Sequence, residues 1–482
     1  MTALDSRLKT AGRGGALGST RNPLPPQDLR AKLQANRAER YDLLASARAL
    51  FLNEGKREGL LHPQNWHRTA KCKWTPVSAT IGVHASREHG SAFYSGVMNC
   101  GSVWACPVCA AKVQERRREE VAKAVAWADA QGLQAAMVTL TFPHYVWQQL
   151  TELLGQQKTA LKYLREGSPW TRFKKATGYQ GLIRSLELTY GQNGWHPHTH
   201  ELWFVDAGTD ADTMKKTVLE RWKTSCARAG LLDLDNVDQV AAFEAHAVDV
   251  KGWCTASDYL AKQDDSRHWG VDAEIAKAST KAGRAKGKHP FALLSLFQDG
   301  DRKAGHRFLD YAAAMKGKRQ LFWSAGLKAK VGVIEQSDEE VAEEQRDDAD
   351  LLGHLEIEEW KLIRQAGLRA KVLDLAESNG GWVAIQHLLR SIQTRQRFTD
   401  SLSRILQPRR LIFAGAKMRV LNRAPLALAC LSRGVSSTVE LHPMSIPPLA
   451  PQVSVVSCDR QKKPLLKLGT TRRESRAAGQ DR

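Results

Sequence analysis

The 482-residue chain has no run of about 18 consecutive apolar residues, so no membrane-spanning helix is expected. Its opening residues, Met1-Thr2-Ala3-Leu4-Asp5-Ser6-Arg7, are not followed by an apolar core, so a secretory leader is not expected either. Cysteine is scarce, at eight residues. Without an export signal these are expected as thiols or metal ligands rather than disulfides. No internal repeat is found. Acidic residues are in deficit: 51 Asp+Glu face 71 Lys+Arg, a formal net charge of +20. Such a balance points to a polyanionic partner, nucleic acid first. The hydrophobic content of 42% suits a globular core, and the length allows two or three domains.

Against these absences one pattern is dense. His196-Pro197-His198-Thr199-His200 runs directly into the apolar Leu202-Trp203-Phe204-Val205. In a strand alternate side chains share a face, so His198 and His200 point the same way and make a metal-binding pair. A second apolar run, Leu182 to Tyr190, precedes it across Gly191-Gln192-Asn193-Gly194, which reads as a turn. Folded as a hairpin, the two runs set Glu187 opposite His198 or His200. The result is a site of two histidines and one carboxylate with open positions. The competing reading is a hairpin with an ordinary wet face.

The second cluster is Cys100-x5-Cys106-Pro107-Val108-Cys109. The Cys-Pro-Val-Cys knuckle turns two thiolates onto one ion, and Cys72 upstream is the expected fourth ligand, with His67, His84 or His89 as substitutes. Structural zinc is expected. A redox Cys-x-x-Cys would need a thioredoxin-like βαβ frame, which is missing. Cys226, Cys254, Cys430 and Cys458 are scattered.

Coarser signals divide the chain. Residues 1–65 are expected as a basic, largely disordered arm, and 66–125 as a cysteine-rich zinc module ending in a charged helix. Helical stretches are expected over about 146–166 and 210–229, with strands at 136–142 and 248–250. The basic run from Lys277 to Lys288 reads as a loop suited to phosphate contact. Glu335 to Glu359 is acidic and helix-prone, 331–400 is expected as a helical region, and 401–482 as a disordered basic tail. In a basic protein, a metal with open positions suggests phosphodiester chemistry. Tyr259 and Lys262 lie one helical turn apart, which makes Tyr259 a candidate nucleophile with Lys262 as its electrostatic support.

Taken together these stretches resemble the replication initiators of rolling-circle plasmids, members of the HUH endonuclease superfamily. Val138-Thr139-Leu140-Thr141 is similar to the first family motif, His196 to His200 to the metal motif, and Tyr259-Leu260-Ala261-Lys262 to the tyrosine motif. Cys100 to Cys109 and Arg319 to Lys328 are similar to further family stretches. The likeness covers about residues 66–330, with 126–330 as the nicking-closing domain. It implies an α+β fold, an antiparallel sheet flanked by helices. It also implies tyrosine attack on one strand of origin DNA, giving a 5′-phosphotyrosine and a free 3′ hydroxyl, with Mg2+ or Mn2+ at His198, His200 and Glu187. Implied partners are double- and single-stranded origin DNA, a host helicase and a polymerase, in a bacterial cytoplasm.

Some positions depart from the pattern. Thr199 replaces a bulkier middle residue. Gln263 stands where some relatives carry a second functional residue, and Tyr311 is then the alternative nucleophile. Asp258 and Glu244 are candidates for activating water after the second nick, and His196 for orienting the site. Rival readings are an HUH transposase or mobilisation relaxase, and a non-catalytic zinc-dependent DNA-binding regulator.

Overall fold

The computed structural model describes residues 26–87, 91–251, 287–344 and 349–405. A 32-residue helix, α1 (Pro26–Arg57), leads through the single turn α2 (Arg68–Lys71) to strands β1 (Ile81–Ser86) and β2 (Ala92–Tyr94). Helix α3 (Pro107–Ala130) precedes β3 (Leu133–Leu140), and α4 (Leu150–Leu164) and α5 (Gly167–Ala176) follow. The long hairpin of β4 (Gly181–Gly191) and β5 (Gly194–Asp206) comes next, then α6 (Ala211–Arg228), α7 (Val237–His246) and β6 (Val248–Lys251). The chain continues with α8 (Pro290–Gln298), α9 (Arg302–Met315), β7 (Leu321–Trp323), α10 (Leu327–Val331) and α11 (Asp338–Glu343). It closes with β8 (Ala349–Leu355), α12 (Ile357–Gln365), α13 (Arg369–Ala376) and α14 (Gly381–Ile405).

The main sheet has five strands in the order β6-β3-β5-β4-β7, every neighbouring pair antiparallel. A smaller antiparallel sheet has the order β2-β1-β8. The class is therefore α+β, antiparallel sheets flanked by helices.

Strand alternation explains how the main sheet is covered. Thr199, Glu201, Trp203 and Val205 of β5 are buried on one face. That face packs on apolar residues of α4 and α6, among them Leu153, Leu161, Val218 and Trp222. On the other face Leu202 and Phe204 are buried against Val121, Val125 and Ala128 of α3, with Ile183 from β4 and Met137 from β3. This core covers one end of the face only. At the other end His196, His198 and His200 are half-buried.

Two expectations for the termini are corrected. Residues 26–57, placed in a disordered arm, are helical: Tyr41, Leu43, Leu44, Ala47, Leu50 and Phe51 recur at helical spacing and are buried. Arg37 of this helix pairs with Asp374 and Glu377 at α13. The stretch 331–400 is not purely helical, because β8 pairs with β1 from Ile81↔Leu355 to Ser86↔Ala349. The acidic side chains masked its strand pattern. Among the described residues no helix is long and apolar enough to cross a membrane. The expected tail lies outside the described residues from 406 onward.

Candidate metal centre

The β4–β5 hairpin forms as its turn signal required, with Gly191 opposite Gly194. Gly194 has φ +84°, a left-handed conformation that glycine adopts without steric cost. The register puts Glu187 directly across from His198 and Ser185 across from His200. Nε2 of His198 and Nε2 of His200 each lie 3.3 Å from the same oxygen, Oε2 of Glu187. Three donor atoms within 4.8 Å of one another thus converge on the uncovered end of the face. Two imidazoles and a carboxylate suit a divalent ion with further positions left for water or substrate.

Burial pushes the Glu187 carboxyl up, but the hydrogen bonds and charges of His198 and His200 outweigh it and hold the group well below the usual carboxylate range. Its negative charge is therefore ready for a cation at neutral pH.

Neighbouring strands orient the imidazoles. Thr139 on β3 stands opposite His200, with Oγ1 3.0 Å from His200 Nδ1. Thr141 Oγ1 lies 2.6 Å from Nε2 of His196. The His196 ring stacks between those of His144 and His198, at centroid distances of 4.4 and 4.8 Å. Burial, then the neighbouring His198 and His144, lowers His196 to about 3, so it is neutral. The Thr-x-Thr of the first motif carried this orienting role in its alternation, whereas nothing in the sequence marked His144.

On the opposite face Glu201 is fully buried, paired with Arg165, and its Oε2 accepts a bond of 2.6 Å from the Trp203 indole.

The cysteine cluster forms as expected. Cys72, Cys100, Cys106 and Cys109 are buried with their sulfurs within 4.8 Å of one another. The closest are Cys72 and Cys109, at 3.5 Å. Cys106 caps α3, its sulfur accepting from the Cys109 amide at 3.4 Å, so the knuckle geometry is built into the helix start. Burial raises the Cys106 thiol, while hydrogen bonds from the other three thiols hold Cys109 well below its ordinary value. Four convergent sulfurs fit a tetrahedral zinc. The histidine substitutes are engaged elsewhere: His67 caps α2, and His84 lies 2.8 Å from the Ser95 hydroxyl. His89 lies outside the described residues.

Of the remaining expectations, Tyr259, Lys262, Asp258 and most of the Lys277–Lys288 run also lie outside the described residues. Lys288 is exposed, and its backbone bridges to Tyr190 beside the hairpin turn. Tyr311, the alternative nucleophile, is 1% exposed and stacks on Trp195 at 5.8 Å, so it packs in the core. Glu244 is taken by Lys223 of α6. His289 is a residue the sequence did not single out. It caps α8 through its Nδ1, is lowered to about 4 by burial, and lies within electrostatic range of Glu187.

Residues 95–367, more than half of the chain, match the family described as replication protein, and the chain belongs to that family. This is the kinship with plasmid replication initiators that the motifs implied. The chain is similar to Protein rep of Streptomyces lividans, 28% identical over 335 residues that cover 58% of this chain and 71% of that one. It is also similar to a protein named Neomycin resistance protein from Streptomyces cyanogenus, 28% identical over 183 residues covering 31% of this chain and 42% of the other. No solved structure matches.

Proposed function

We propose that this protein is a rolling-circle plasmid replication initiator of the HUH type, which nicks and rejoins one strand of origin DNA through a tyrosine. The observation that carries the reading is the convergence of Glu187, His198 and His200 at the open end of an antiparallel sheet, in a basic member of a replication-protein family. A Mg2+ or Mn2+ ion held by these three residues would supply charge withdrawal from the scissile phosphodiester. Glu187 offsets the charge of the ion, and Thr139 fixes the plane of His200. Tyr259 is the nucleophile. Its phenolic oxygen bonds to phosphorus as the bond to the 3′ oxygen breaks, and that oxygen takes up a proton. Lys262 steadies the phenolate. The product is a 5′-phosphotyrosine and a 3′ hydroxyl that primes synthesis, and attack by a 3′ hydroxyl reverses the step. The cysteine cluster holds Zn2+ as a structural element. Origin DNA, the host replicative helicase and a polymerase are the partners, in a bacterial cytoplasm.

The test uses single-stranded oligonucleotides tiled from the plasmid that encodes the protein, with Mn2+ or EDTA, scored for an SDS-resistant adduct. The adduct is expected with Mn2+ only, and is lost in Tyr259→Phe but kept in Tyr311→Phe. Nicking without an adduct would replace tyrosine by water. Binding without nicking across the whole tiling would favour a non-catalytic regulator.

A further inference from the structure

The loop between β3 and α4 carries Tyr145, Val146 and Trp147, which are 40%, 62% and 73% exposed. Large aromatics this open on an ordered loop contribute little to folding. The Tyr145 and Trp147 rings lie parallel, with centroids 5.8 Å apart and an interplanar angle of 3°.

Three contacts hold Tyr145 and the loop in place. The Tyr145 hydroxyl accepts a bond of 2.6 Å from the Gln239 side chain on α7. Within the loop the Tyr145 amide donates to Gln148 Oε1 at 2.7 Å. The loop also lies against the hairpin turn: a Cβ placed on Gly194 would come 2.8 Å from the Val146 Cα. The residue just before the pair, His144, stacks on His196, which stacks on the candidate ligand His198. A continuous run of rings and backbone therefore leads from the metal centre to an open aromatic surface.

We infer that Tyr145 and Trp147 form a stacking platform for an unpaired base of the DNA strand held at the metal centre. The inference rests on the nuclease reading and adds a residue-level account of strand selection. A base has an exposed flat face only when it is out of the duplex, and stacking on aromatic rings is how proteins grip such strands with little sequence preference. The formal charge of +20 supplies the phosphate attraction, which single and double strands share. The platform adds what duplex DNA cannot use. Trp147, the more exposed of the two, offers the larger open surface, with the Tyr145 ring parallel beside it.

The test measures equilibrium binding of the full chain with no Mg2+ or Mn2+ added, where no cleavage dependent on those ions occurs, so it stands apart from the nicking assay. Probes are labelled dT20, a 20-mer of abasic residues with the same phosphates, and a 20-base-pair duplex. Trp147→Ala is expected to weaken dT20 binding by about fivefold to a hundredfold, the range for losing one stacked base. Binding of the abasic strand and the duplex should stay within about twofold, and Trp147→Phe should restore most of the dT20 affinity. Unchanged dT20 binding in Trp147→Ala would overturn the proposal, as would an equal loss on all three probes. A change of sedimentation coefficient in Trp147→Ala with dT20 affinity intact would overturn it in favour of an interface between protein copies.

Discussion

Thr139 and His200 face each other across the β3–β5 ladder, the hydroxyl oxygen of one 3.0 Å from Nδ1 of the other. The pairing leaves Nε2 of His200 aimed at Glu187, 3.3 Å from its carboxylate. Outer partners of this kind fix ring orientation, and their loss typically costs about 10–100-fold in metal affinity. Thr139→Val, close in shape but without the hydroxyl, should weaken Mn2+ binding by about that factor, and Thr139→Ser should not. Calorimetric Mn2+ titration checks this, and equal affinities in all three proteins would remove Thr139 from the site. Glu187→Gln should abolish measurable Mn2+ binding in the same titration.

The four sulfurs predict one tightly held zinc per chain, read by elemental analysis. Structural zinc typically contributes about 10 kcal/mol or more to the fold it organises. Cys106→Ser, which also removes the sulfur cap of α3, should lose the zinc and lower Tm by more than about 10 °C. A full zinc complement in Cys106→Ser would show that the four cysteines do not act together.

His289 gives the fold a pH dependence. Its Nδ1 accepts the Phe291 amide proton at 3.2 Å, which only a neutral ring can do, and burial lowers it from 6.5 to about 4. The unfolded chain therefore takes up a proton that the folded chain refuses. Stability from this group is complete above about 6.5 and falls as pH drops toward about 4, by at most about 1.4 kcal/mol per pH unit. His289→Asn keeps a capping side chain without the titration. Its Tm should fall less than that of the parent between pH 6.5 and 4.5, and parallel curves would refute the assignment.

Glu201 is a buried charge whose partners are Arg165 and the Trp203 indole. Removing one member of such a pair strands the other and commonly costs about 3–5 kcal/mol. Glu201→Ala should lose about that much in denaturant unfolding, while the double variant Glu201→Met with Arg165→Met should lose less. A loss under about 1 kcal/mol in Glu201→Ala would show that water already compensates the pair.

The sequence made the centre legible because its information is local. A two-residue period, a Gly-bounded turn and three histidines set the register that brings Glu187 to His198. The cysteine knuckle was legible for the same reason. What stayed hidden depends on distant partners. His144 and His289 look ordinary until the rings and charges beside them are known. α1 resembled a solvated arm because basic residues surround its buried stripe, and β8 resembled part of an acidic helical stretch until β1 stood beside it. Tyr311 shows the converse: a plausible tyrosine in sequence, enclosed in space by Trp195, Trp104 and Phe308.

The small sheet ties the beginning of the described chain to its end, since Ile81 pairs with Leu355 and Arg37 with Asp374. During synthesis β1 emerges long before the strand that covers its second edge. At about 5–20 residues per second the wait lasts roughly a quarter of a minute to a minute. Over that time the growing chain carries an open strand edge, the kind of surface that chaperones bind and aggregates recruit. A ribosome that stops short of residue 349 releases a polypeptide holding every residue of the metal centre but not the strand that closes the small sheet.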